Sequence, residues 1–208
     1  MKRRSLLKAG AAFAVPGVLS FGASAKPVSK AKAPKVLVVY FSRPGMNYVS
    51  GDMVNLPVGN TEKFAKIIAK TLDAPLFRIE PVTPYPFDYR KTTAIVREER
   101  SAGKARDAKA IPDIRGYDVI FWGHPIWYGE MPYIVRGVLS KLDCAGKTII
   151  PFVTHEGSGI GDTANLVRSF QKRAAVREGL GILGTRFVRN EPVEPEITAW
   201  LKRLGYQK

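Results

Sequence analysis

Gly59-Asn60-Thr61 opens a stretch with helical spacing, and Ser42 stands just past the apolar run that precedes it. Glycine lets a ligand approach the backbone closely. The amides of a helix's first turn have no partner within the helix, and the helix dipole favours negative charge there. Hydroxyls at Ser42 and Thr61 add donors suited to phosphate oxygens, so the chemistry is anion binding. The pattern is neither a Walker loop, which needs Gly-Lys-Ser/Thr, nor a GxGxxG fingerprint. Taken alone, the fragment reads better as a plain helix cap. Two further segments carry chemistry. GHPIWYGEMP places Trp127 and Tyr128 between Pro125 and Pro132; adjacent aromatics in such a turn wall a flat ligand or cover the end of a sheet. THEGSGIGD sets Gly157, Gly159 and Gly161 around Ser158 and exposes backbone amides to the polar rim of a planar ligand. His155, Glu156 and Ser158 raise the question of a hydrolase. Ser158 lacks the GxSxG elbow, however, and no separate acid is placed to orient His155.

Elements must bring these segments together. Apolar runs at 35–41, 76–80, 117–123 and 147–153 predict buried strands, with a weaker one at 179–184. Helical spacing covers 61–72, 88–103, 131–142, 162–176 and 195–204. Strands and helices alternate, and YDVIFWG and TIIPFV are apolar on both faces. The expected fold is α/β: a doubly wound, five-stranded parallel sheet with helices on both faces. In such sheets ligands bind beyond the carboxyl ends of the strands, and the three segments follow strands one, three and four. One feature is out of proportion. Residues 44–58, rich in Gly, Pro, Asn and Ser, stand between the first strand and its helix, where a handful would suffice. They read as a long loop.

The 208 residues are 45% hydrophobic, enough for one well-buried domain. The single cysteine, Cys144, excludes an intramolecular disulfide and reads as a small apolar residue near a helix end. His124 and His155 are the only histidines and have no HExxH-like spacing, which argues against zinc. The first 25 residues, MKRRSLLKAGAAFAVPGVLSFGASA, have a basic start, an uncharged apolar middle and an Ala-Ser-Ala end. As a helix, residues 9–25 would reach about 25 Å, short of a hydrocarbon core of about 30 Å. They read as an export signal cleaved after Ala25 rather than a membrane span. Arg3-Arg4 followed by Ser-Leu-Leu-Lys resembles the twin-arginine signal. The expected organisation is signal 1–25, basic linker 26–34 and one domain over 35–208. It places the protein in the periplasm or outside the cell, with no stable membrane insertion after cleavage. The net charge is +15; without Lys2, Arg3, Arg4 and Lys8, 29 basic residues face 18 acids, or +11. That excess favours acidic partners or an anionic ligand. The bases are dispersed and form no nucleic-acid-binding motif.

VVYFSRPG, GNTEKFAKIIA, LFRIEPVTPYPFDY, YDVIFWGHPIWYGEMP and GKTIIPFVTHEGSGIG follow one another over most of residues 35–190. In this order they resemble the flavodoxin-like family, nearer to its NAD(P)H-dependent reductases than to short electron carriers. The resemblance implies FMN. Ser42, Gly59, Asn60 and Thr61 would hold the phosphate, with Arg43 beside them. Pro125, Ile126, Trp127, Tyr128 and Gly129 would border the isoalloxazine on one side. Thr154, His155, Glu156, Gly157, Ser158 and Gly159 would border it on the other. The family's phosphate loop is short and unbroken, whereas here it stops after Arg43 and resumes at Gly59. Residues 44–58 are thus an excursion beside the phosphate site, leaning toward the flavin with Tyr48. The implied function is a redox protein, reductase or carrier, that exchanges electrons with a partner protein or a small acceptor. The alternative is a binding module that has kept the fold without flavin.

Overall fold

The computed structural model describes residues 33–206. The signal and most of the linker lie outside the described residues. Along the chain come β1 (Val36–Tyr40), β2 (Gly45–Val49), β3 (Asp52–Leu56), α1 (Asn60–Leu72), β4 (Leu76–Arg78), α2 (Tyr89–Ala102) and β5 (Val119–Pro125). They continue with α3 (Tyr133–Ser140), β6 (Thr148–His155), α4 (Thr163–Phe170), β7 (Ala175–Val176), β8 (Leu180–Leu183), α5 (Gly184–Val188) and α6 (Glu194–Arg203). The main sheet is parallel, in the order β4-β1-β5-β6-β7, and β8 also pairs with β6. It is the doubly wound α/β arrangement, with five strand positions. Successive residues of the central strands face opposite layers, as strand geometry requires. Leu37, Val39, Ile120 and Trp122 pack with Val96 of α2, Ile134 and Val138 of α3 and Val167 of α4. Val38, Phe121 and Phe152 pack with Phe64 and Ile68 of α1 and Ile197 and Trp200 of α6. No helix among the described residues is long and apolar enough to cross a membrane.

The structure corrects three expectations. The long loop after β1 is a β-hairpin: β2 and β3 pair antiparallel, Met46 opposite Asn55 and Tyr48 opposite Met53. Its two-residue turn is Ser50-Gly51, with φ of 50° and 108°. Two positive φ values give the twist that tight hairpins need. Second, the helix expected over 162–176 stops at Phe170. The Gln171 side chain donates to Leu139 O at 2.6 Å and Leu142 O at 3.0 Å and accepts from Cys144 N–H at 3.2 Å. Those bonds hold the chain against the end of α3 and release Ala175–Val176 to the sheet. Third, the weak fifth strand is two pieces. Ala175 N–H donates to Lys147 O and Arg177 N–H to Ile149 O, so the odd residues of β6 face the fifth position. Pro151 is the next in that series and has no N–H to offer. The register slips there: Ile149 pairs with Val176, but Phe152 pairs with Leu180, so the fifth strand carries one extra residue.

Gly123 of β5 is fixed by close approach. A Cβ there would stand 2.0 Å from Phe152 Cζ, inside the fully buried aromatic layer that joins Phe152 to Phe64 at 5.0 Å. Gly123→Ala is expected to destabilise the fold by about 2–3 kcal/mol, in the range of overpacked cores. Denaturant unfolding measures this, and an unchanged midpoint would refute it.

Candidate functional site

The carboxyl ends of β1, β5 and β6 and the start of α1 surround a cleft of about 150 Å³. Its end at the start of α1 is built as follows. Ser42 is buried just past β1, and its Oγ accepts from Glu62 N–H at 3.1 Å. The hydroxyl thereby caps α1 from another segment, in place of Gly59, which has no side chain to do so. A Cβ on Gly59 would lie 2.3 Å from Ser42 Oγ, so only glycine lets the hydroxyl reach the helix. Having accepted that bond, Ser42 keeps its own proton to donate. The hydroxyls of Thr61 and Thr154 lie 2.7 Å apart, both buried. Asn60 Oδ1 is buried and accepts from no group among the described residues. Glu156 faces this end from the β6 side. Its Oε2 accepts from Thr185 Oγ1 at 2.5 Å and from Ser50 N–H, at the hairpin tip, at 3.3 Å.

Ser42, Arg43, Asn60, Thr61, Pro125, Ile126, Trp127, Thr154, His155 and Glu156 all line this one cleft. Gly59 stands behind it, against Ser42. Trp127 is half-buried and held edge-on by Phe41 at 5.3 Å and Tyr85 at 5.0 Å. Trp127 and Glu130 exchange backbone bonds around a tight turn, with Tyr128 and Gly129 at φ of 51° and 77°. That turn sends Tyr128 outward under the Arg100 guanidinium, where it lines a neighbouring cleft with Thr93. The aromatic wall expected from the adjacent pair is therefore divided. Gly157 and Ser158 are exposed at the rim beside half-buried Gly159. Gly157 N–H donates to His155 Nδ1 at 3.1 Å, and burial pushes the His155 imidazole below its ordinary pKa. Glu156 is committed to Thr185 and Ser50, and among the described residues no acid is hydrogen-bonded to His155.

Sequence reasoning missed several lining residues. Asn47 and Leu56 come from the hairpin, Tyr89 from the start of α2 and Gly184 from the start of α5. The hairpin residues had a usable signal, two short runs flanking Ser-Gly; Tyr89 and Gly184 had none. Arg43 is also placed differently from a solvated arginine at a loop edge. It is buried, and its guanidinium donates to Pro86 O at 2.9 Å, Phe87 O at 3.3 Å and Met46 O. It straps the base of the hairpin to the segment before α2. Among the described residues no carboxylate forms an ion pair with it, and burial lowers its pKa from the ordinary arginine value.

The fold and the site define a doubly wound α/β protein with a hydroxyl-lined polar cleft at its first strand-to-helix junction. The flavodoxin family model matches residues 35–204, and the chain belongs to that family. It is similar to a "putative flavoprotein" from Bacteroides eggerthii, with 26% identity over 83% of this chain and 98% of that one and a TM-score of 0.65. A second such protein, from Bacteroides uniformis, shares 24% identity over 82% and 99% of the two chains, with a TM-score of 0.63. A Lactobacillus acidophilus flavoprotein in complex with FMN shares 19% over 76% and 98%, with a TM-score of 0.52. The last two likenesses attest the fold alone. No curated protein sequence matches the chain.

Proposed function

We propose that the chain binds FMN and acts as an exported redox protein. The observation that carries this reading is the unpartnered Asn60 Oδ1 beside the Ser42 and Thr61 hydroxyls at the start of α1. A ligand with a phosphate next to hydroxyl groups satisfies that set, and the ribityl phosphate of FMN is such a group. Ser42, Asn60, Thr61 and the first amides of α1 would hold the phosphate end. Ile126 and Trp127 would border the ring on one side, His155 and Glu156 on the other, with the hairpin and Tyr48 limiting water. FMN supplies reversible electron transfer; the chain supplies binding, orientation and electrostatics. The net charge favours an acidic protein or an anionic small molecule as the electron-exchange partner. The test is the absorbance spectrum of protein purified from its native host, with release and identification of the flavin. Colourless protein that takes up no added FMN would overturn the reading and favour a flavin-free module.

Trp127→Ala is expected to weaken FMN binding about fivefold, the value of one aromatic contact of about 1 kcal/mol. It should also lower thermal stability, because Phe41 and Tyr85 lose their edge-on neighbour. Trp127→Phe should restore most of both. Titration of the apoprotein and melting curves separate the effects, and unchanged FMN affinity in the alanine variant would confine Trp127 to the core.

The export half of the proposal rests on Arg3-Arg4. Changing both to Lys keeps the charge but should leave the precursor uncleaved in the cytoplasm. Normal processing of the double variant would assign export to the general secretory route.

A further inference from the structure

A second cleft is more apolar than the strand-end one. It measures about 540 Å³ and lies between the end of β1, the base of the hairpin and the end of β4. Its volume lies within the usual range for small-molecule sites, about 300–1,000 Å³. Phe41, Leu56, Ile79 and Phe87 form its walls. Pro44 and Pro57 stiffen the hairpin side, and Pro81 and Pro84 the β4 side. Proline fixes φ, so little backbone ordering remains to be lost on binding. Phe87 is 61% exposed, leaving a large aromatic face in water at the mouth.

The charges on this cleft are unequal. Arg43, Arg78 and Lys109 line it against one acid, Glu80. Glu80 is bonded by Lys109 at 3.0 Å and lies 4.0 Å from Arg78. Arg78 also meets Glu62 at 3.1 Å, and Glu62 meets Lys66 at 2.7 Å. The connected set thus holds three cations and two anions. Arg43 adds a further buried cation with no acidic partner among the described residues, and buried charges are ordinarily paired.

We infer that this cleft binds an organic acid: a carboxylate on an apolar body, its head toward Arg78 and Lys109 and its body against Phe41, Leu56 and Phe87. The cleft shares only Ser42, Arg43 and Leu56 with the strand-end cleft, so the acid and FMN are expected to bind together.

The probes are 2-naphthoate, octanoate and the neutral 2-naphthalenemethanol, titrated by calorimetry with and without saturating FMN. Saturable binding of an acid is expected, with naphthoate above octanoate for an aromatic ligand and the reverse for an aliphatic one. The neutral alcohol should bind at least tenfold more weakly than the better acid. Lys109→Gln removes an exposed cation and should weaken the acid about fivefold. Phe87→Asp places a carboxylate at the mouth, on a side chain whose exposure spares the core, and should abolish binding without lowering the melting temperature. Equal affinity for acid and alcohol, absence of saturable acid binding, or competitive displacement by FMN would each overturn the inference. Only displacement would leave FMN binding itself supported while removing a separate acid site.

Discussion

Asn60→Asp is expected to weaken FMN binding about a hundredfold while leaving the protein folded. The substitution is isosteric and exchanges an amide for a carboxylate at the first residue of α1. Two unit charges about 4 Å apart repel by about 4 kcal/mol at an effective dielectric of about 20, and solvent in the cleft reduces this. In the free protein the new charge is tolerated. The helix dipole favours an acid in the first turn, which offsets repulsion from Glu156 across the cleft. Affinity and stability should therefore separate: FMN titration shows the loss, and melting without flavin shows little change. Gly59→Asp is a poorer test, because its Cβ would collide with Ser42 Oγ at 2.3 Å and disturb α1 itself. Equal FMN affinity in wild type and Asn60→Asp would remove the phosphate from this end of the cleft.

The second large effect is on stability against pH. His124 is fully buried in β5; Nδ1 lies 3.0 Å from Pro125 O, and Nε2 has no partner among the described residues. Burial pushes its pKa down to about 4 from 6.5, against the bond to Pro125, which opposes the shift. The folded state thus keeps the imidazole neutral, while the unfolded chain takes a proton as pH falls through 6.5. The associated stability is fully present above pH 6.5 and is lost as pH falls through about 4. Its size is about 3 kcal/mol, at about 1.4 kcal/mol per pKa unit. His124→Leu should flatten the stability profile over that window. Urea unfolding of both proteins at several pH values decides it, and equal slopes would exonerate His124. Carboxylates titrate in both proteins and cancel in the difference.

The parallel sheet was legible because VLVVY, VIFWGHP and TIIPFVTH are apolar on both faces, which a strand covered by two helix layers demands. The grouping of Ser42, Asn60 and Thr61 at one end of the cleft was legible in residue type, since Ser42 and Thr61 carry hydroxyls and Gly59 opens the helix. The hairpin was obscured by composition. Its strands expose Tyr48, Met53 and Asn55, so neither reads as a buried run, and only Ser-Gly betrayed the turn. Arg43 gave no sign of burial, because two of its three carbonyl partners, Pro86 and Phe87, lie some forty residues away, a long-range fact that local pattern does not hold. The break in the fifth strand was written in Pro151, on a different strand from the one it interrupts.

That break has a bearing on how the molecule behaves in a crowd. An open sheet invites strand addition by other copies wherever an outer strand offers a long row of free N–H and C=O groups. Here one border strand, β4, has three residues, and the other is two pieces of two and four residues with a bulge between them. Bulges bend a border and spoil its register for an incoming chain. The two strands most prone to template growth, apolar β5 and β6, lie in the interior. The borders of the main sheet therefore offer little template for strand addition, a matter of geometry that screening of the protein's positive charge by salt does not alter.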